Sequence, residues 1–196
     1  KKVKHLYLGI ESGLDDVLKF MKKDHDLAQA YQAIDRLHEA GLIYDAHIMT
    51  GVAGKGRGME NAEALAQFLN RTNPAHVVNF SMFLHKEVPL YQDIRQGTFV
   101  PADELETIRE EYHLIERIAP EKAGANILYD GFHDFIHVRV RGHLPGDKEK
   151  MLAKLNGIIQ EYEGKEPVYS FVQGECPDLE YCDDGKAVWD MDRKTS

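Results

Sequence analysis

Two apolar runs end in residues that could do chemistry. Tyr7-Leu8-Gly9-Ile10-Glu11-Ser12-Gly13 ends in a carboxylate, and His47-Ile48-Met49-Thr50-Gly51-Val52-Ala53-Gly54 begins with an imidazole. Each stops abruptly in polar and glycine residues just before a helix-like pattern, which is how βα units of a parallel sheet present their functional edge. The neighbouring glycines let a ligand approach the backbone closely. The loop at 51–58 holds four glycines in eight residues and can wrap around a ligand, yet it lacks the GxGxxG order of a dinucleotide site. A Rossmann-like nucleotide-binding domain would also want an acidic residue ending the next strand, and 77–83 offers none. Further on, 135–141 alternates strictly, with Ile136, Val138 and Val140 on one face and His137, Arg139 and Arg141 on the other. That polar face suits an anionic group of a substrate. His133, His137 and His143 do not make a metal set in an extended segment, where residues four apart are separated by about 13 Å. Phe132 and Phe135 read as core.

The elements that must position these groups follow from periodicity. Residues 4–10 alternate as a strand that sends Glu11 to the face opposite Leu6 and Leu8. Ser12 or Asp15 caps a short helix with Val17, Leu18 and Met21 inward, and a second helix opens at Asp26 with Leu27, Ala30, Tyr31, Ile34 and Leu37 on one face. A strand at 42–50, a helix from Met59 to the Asn73-Pro74 stop and a strand at 77–83 complete a right-handed βαβαβ series. The third strand is apolar enough to be covered on both faces. Asp103 to Glu106 reads as a capping box opening a helix with Leu105, Ile108, Tyr112 and Ile115 inward. A smaller α/β extension at 121–173 then holds the 135–141 strand, a helix near 147–162 and a last strand at 168–172. Residues 174–196 have no apolar period and read as an acidic, poorly ordered tail.

Composition bounds the function. The chain has 196 residues, 43% of them hydrophobic, enough for one sizeable core. No apolar run approaches the roughly 18 residues of a membrane span and no signal-peptide pattern opens the chain, so no membrane role and a cytoplasmic location are expected. A net charge of −9 without a Lys/Arg stripe argues against nucleic-acid binding. The two cysteines, Cys176 and Cys182, fit neither a disulfide framework nor a zinc ribbon and read as ordinary thiols.

The ordered series YLGIESG, Val17 to Lys23, His38-Glu39-Ala40-Gly41 and HIMTGVAG, continued by Val88-Pro89-Leu90-Tyr91 and Gly97-Thr98-Phe99, resembles the second half of a radical S-adenosylmethionine (SAM) barrel. The branch it is similar to includes the Elongator catalytic subunit and oxygen-independent coproporphyrinogen oxidase. The resemblance spans roughly residues 4–118. It implies a partial (βα) TIM-like barrel with parallel strands, taken from the C-terminal half of a longer enzyme; the absence of an initiator Met agrees. It further implies that Glu11, Ser12, Gly13, His47, Gly51 and Gly54, then Asn79, Ser81 and Phe83, hold the ribose, amino-acid part and adenine of SAM. Two departures stand out. The CxxxCxxC loop that holds the family's four-iron four-sulfur cluster has no counterpart here, so this chain alone is expected neither to bind the cluster nor to be active. Ala53 also stands where the family usually has proline. A half barrel would expose a strand edge and part of an apolar interior, so a homo-oligomer is expected, and a purely structural or interaction role is the other alternative.

Overall fold

The computed structural model describes residues 3–171 and two short strands, Cys182–Asp183 and Lys186–Ala187, which pair antiparallel. The expectation of a poorly ordered tail, and Cys176 with it, otherwise lies outside the described residues.

The apolar alternation read from the sequence builds β1 (His5–Glu11), β2 (Ile43–Thr50) and β3 (His76–Ser81), which pair in parallel. Between them lie α1 (Asp15–Phe20), α2 (Leu27–Glu39) and α3 (Gly58–Thr72). Asp26 closes a capping box with Gln29 at the start of α2, and Asn73 in the left-handed region ends α3 ahead of Pro74. Ser12 does not cap α1; its hydroxyl donates to Asn61 on α3 at 2.6 Å and accepts from the Leu14 N–H at 3.1 Å. The loop after β3 contains a short helix, α4 (Leu90–Arg95), and α5 (Glu104–Arg117) follows with Asp103 accepting from the Glu106 N–H.

Past this point the chain departs from the sequence reading. A strand absent from that reading, β4 (Ile127–His133), joins β3 in parallel, and β5 (Val138–Leu144) returns antiparallel beside it. The strict alternation at 135–141 breaks because Asp134–Ile136 is a turn of 3-10 helix and His137 sits at φ 53°. Among the described residues, the last strand, read at 168–172, is reduced to a single bridge between Phe171 and Leu84. The sheet order is therefore β1-β2-β3-β4-β5, and residues 127–144 continue the same sheet and core as the first half. Parallel strands laid in simple succession are the layout of a partial (βα) barrel.

Helices α2, α3, α5 and α6 (Lys148–Tyr162) bury one face of the sheet; α3 packs on α5 and α5 on α6. The core takes Ile10, Tyr44, Ala46, Ile48, Val77, Ile127, Tyr129, Val140 and Leu144, all in phase along their strands. By alternation, His5, Tyr7, Gly9, Asp45, His47, Met49, His76, Val78, Phe80, Asp130, Phe132, Arg139 and Arg141 lie on the other face. β3 is thus helix-covered on one side only. Among the described residues no helix is long and apolar enough to cross a membrane.

Gly13 belongs to this packing. A Cβ there would lie 2.5 Å from the Leu65 nitrogen and 2.6 Å from the Ala64 carbonyl carbon, backbone atoms of α3 that cannot swing aside. Gly13→Ala is expected to lower stability by about 1–3 kcal/mol through overpacking, read as a fall in the urea midpoint at unchanged slope.

Candidate functional site

On the uncovered face a row of rings crosses the sheet. Tyr7 meets His47 at 5.1 Å between centroids, His47 meets Phe80 edge-on at 6.1 Å, Phe80 stacks on Phe132 at 5.2 Å, and the Arg139 guanidinium lies 4.7 Å from the Phe132 centroid. Phe132, read from sequence as core, is part of this open row because β4 presents it in phase with Asp130. Polar groups flank the rings: His5 pairs with Asp45 at 3.1 Å, and the Tyr7 hydroxyl with His76 at 3.0 Å.

Glu11 stands at the upper end of this row. Its φ is 63°, a left-handed conformation unusual for a residue with a side chain, and pairing with β2 shifts register between Gly9 and Glu11. The twist folds its carboxyl back over Gly9, where a Cβ would lie 2.8 Å from Oε1. Gly9 is the register partner of His47, and Lys23 donates to Glu11 Oε1 at 2.8 Å. The Glu11 carboxyl therefore lies over the strand position next to His47, toward the C-terminal half of the two parallel strands. Such strained residues persist where the surroundings over-determine them, commonly at ligand sites.

A cleft of about 360 Å³, lined by neither Glu11 nor His47, opens between α1, the glycine loop and residues 98–100. Val52, Ala53 and Gly54 form one wall, and Phe20, stacked on Phe99 at 5.8 Å, forms another. Gly54, at φ 80°, packs under the Val100 carbonyl and the Phe99 ring. Arg57 grips Asp16 and Glu60 at the rim, and its guanidinium holds the Asp16 carboxyl below the usual carboxylate range.

Other residues singled out from the sequence point away from the open face. Asn79 and Ser81 lie on the helix side of β3: Asn79 donates to Glu111 Oε1 at 3.1 Å and accepts from the Thr50 N–H, while Ser81 donates to Glu104 at 3.0 Å. Ser12 is fully buried against Asn61, and the Gly51 N–H donates to Glu110 at 2.8 Å. These four positions, with Gly13, hold the strand ends from behind. Phe83 is 56% exposed beyond β3. His137 sits at the β4–β5 turn, out of the Arg139–Arg141 row, and His133 faces the helices while His143 faces outward. Among the described residues no cluster of His, Cys, Asp or Glu could hold a metal ion.

The polar cluster behind the sheet is the feature that sequence reasoning missed. α5 buries Glu104, Glu110 and Glu111 along with Ile108, Leu114 and Ile115, so its inward face is rotated away from Leu105 and Tyr112. His133 bridges Glu104 at 3.0 Å and Glu111 at 3.1 Å, Tyr129 donates to Glu111 at 3.0 Å, and Ser170 donates to Glu104. Burial pushes the imidazole down, but the two carboxyl partners override it and raise His133 to about 9. Burial raises Glu110 to about 7 against the hydrogen bonds from Asn61 and Gly51. Spacing of i, i+3, i+4, i+7, i+10 and i+11 from Glu104 was the available signal, hidden because two of those positions carry glutamates.

A dinucleotide site of the Rossmann kind needs a switch point in strand order, and this sheet has none among its parallel strands. No family model and no curated protein matches the chain. Among solved structures, the chain is similar to the archaeal Methanocaldococcus infernus Elp3 with an N-terminal deletion (1-46), at 19% identity and a TM-score of 0.58. The match covers 81% of this chain but 36% of that one, so the chain spans about a third of its length. The likeness is one of fold, a mixed α/β partial barrel with a five-stranded, mostly parallel sheet.

Proposed function

We propose that this chain forms part of the S-adenosylmethionine pocket and the substrate side of a radical SAM enzyme's barrel. The carrying observation is Glu11, held at positive φ with its carboxyl over Gly9 and beside His47 on the uncovered sheet face. The fold likeness to an Elp3 agrees with the motif resemblance to the branch that contains the Elongator catalytic subunit.

The residues fit the cofactor. Gly9 leaves the space that Glu11 fills, a ribose diol and an ammonium group both call for such an acceptor, and His47 can donate or accept beside it. The cleft walled by Val52, Ala53 and Gly54 is suited to adenine, with loop backbone as polar partner. Ser12, Gly13, Gly51, Asn79 and Ser81 act behind these groups, fixing the strand ends on α3 and α5. When bound and reduced by one electron, SAM supplies the radical that abstracts a substrate hydrogen. No residue is assigned to the iron–sulfur cluster, because two cysteines cannot provide its three thiolates.

Equilibrium dialysis with S-adenosylhomocysteine tests the pocket in this chain. Glu11→Ala or His47→Ala is expected to weaken binding by about 10-fold or more, the loss of a hydrogen bond to a charged group. Glu11→Gly, which relieves the positive φ while removing the carboxyl, is expected to weaken it equally without loss of stability. In a protein carrying CxxxCxxC ahead of this segment, dithionite-dependent release of 5'-deoxyadenosine should fall with the same variants. Undiminished binding and cleavage in both variants would sink the reading.

A further inference from the structure

The uncovered face ends, opposite Glu11, in an unbalanced cluster of charge. Arg139 and Arg141 on β5 are both exposed, with side chains 51% and 55% accessible. Asp130 on β4, only 4% exposed, accepts from Arg139 Nε and Nη2 at 3.1 and 2.9 Å and lies 3.5 Å from Arg141 Nε. His76 Nε2 is 3.4 Å from the same carboxylate. One carboxylate thus faces two guanidiniums, and among the described residues neither arginine contacts another acid. In a chain with a net charge of −9, this leaves a local excess of positive charge at the β5 end of the face that carries the ring row.

Arg139 is committed: it binds Asp130 through two nitrogens and covers Phe132. Arg141 makes only the long contact, so its terminal nitrogens retain the planar fork that matches a carboxylate or phosphate. Arg141 stands opposite Asp130, and one register step along the strands, past Arg139, the stacked Phe132 and Phe80 rings form an apolar ridge that leads to His47. Three strand spacings of about 4.8 Å place β5 about 14 Å from β2.

We infer that Arg141, held at Asp130, anchors the anionic end of an elongated organic substrate whose carbon skeleton runs along the edges of the Phe132 and Phe80 rings and reaches toward His47. The substrate class is a carboxylate or phosphate ester with an apolar stretch between anion and reacting carbon. This rests on the reading of the open face as the substrate side.

Binding of 1-naphthyl phosphate, 2-naphthoate and 1-naphthol to the chain, followed by ligand-detected NMR titration, tests the site. The two anions are expected to bind more tightly than naphthol. Arg141→Gln should weaken both anions by about 10-fold and leave naphthol unchanged. Phe132→Leu should weaken all three, and Arg109→Gln, an exposed arginine paired with Glu163, should change none. The ratio of phosphate to carboxylate affinity distinguishes the two anion types. Naphthol bound as tightly as the anions, or Arg141→Gln behaving as Arg109→Gln, overturns the inference. No SAM enters this assay, so its failure leaves the cofactor reading standing, and loss of SAM binding would leave this result untouched.

Discussion

Replacing Gly131 by alanine is expected to cost about 3–5 kcal/mol, the loss that follows when a buried ionic partner is displaced. A Cβ at this position would lie 1.8 Å from Glu111 Oε1 and 2.9 Å from its Cδ. Elsewhere the tip of a glutamate could swing away. Here it is fully buried, and its two oxygens meet Asn79 at 3.1 Å, Tyr129 at 3.0 Å and His133 at 3.1 Å. Displacing it orphans three polar groups at once in a dry interior. For a chain of this size the loss corresponds to roughly 10 °C in melting temperature. Gly157→Ala on α6 supplies the contrast, since nothing lies within 4 Å of its added Cβ and φ is not positive; it should be neutral or stabilise by up to about 1 kcal/mol. A cycle with Glu111→Ala should show strong coupling, because alanine at 131 has little left to displace once the carboxyl is gone. Additive losses would mean that Gly131 matters for some other reason.

The same glycine explains where sequence reasoning stopped. From β1 to α3 the pattern was legible, because apolar residues recur at period two or 3.6 and Asp26, Gly41 and Pro74 punctuate them. β4 was not legible. Asp130-Gly131 carries the chemistry of a turn, yet here Asp130 faces the open side to hold the arginines while Gly131 makes room for Glu111. Both residues are in a central strand for tertiary reasons that no local pattern carries. α5 misled in the same way, since glutamates at inward positions look like a solvated face until their partners on β3 and β4 are known.

The candidate site divides similarly. Glu11 and His47 were legible as polar groups at strand ends, and the structure brings them onto one face. Alternation alone could have separated Asn79 and Ser81 from them: Val77 is in phase with both, and a buried valine on a one-sided sheet points to the helices. The opposite phase, His76, Val78 and Phe80, was the one to follow. Phe80 could be recognised as part of the row only once β4 was placed beside β3.

Stability is expected to fall as pH rises from about 4.5 to 9, with the steeper use of the network visible above pH 6.5. His133 carries a folded-state value of about 9 against an ordinary 6.5, so its contribution is fully present below pH 6.5 and is lost as pH rises through 9. That difference corresponds to about 3 kcal/mol. Glu110, raised to about 7 from 4.5, works in the same direction at lower pH: the folded state holds an extra proton between these values, so its stabilising effect fades from pH 4.5 to 7. Glu104 opposes them. Burial alone would raise it, but His133, Ser170 and Ser81 together hold it below the ordinary value, so its contribution is present above pH 4.5 and vanishes as pH falls through the lowered value. Urea midpoints measured from pH 4 to 9.5 should therefore peak near pH 5 and decline on the alkaline side. His133→Gln should lower the whole curve and flatten it between pH 6.5 and 9, since glutamine keeps a donor for one glutamate but has no proton to lose. A wild-type midpoint that holds level across that window would show that His133 is neutral between its two glutamates. The imidazole ties β4 to α5, and α5 in turn holds Gly51 and Asn79, so the same titration is expected to loosen the strand ends that present Glu11 and His47.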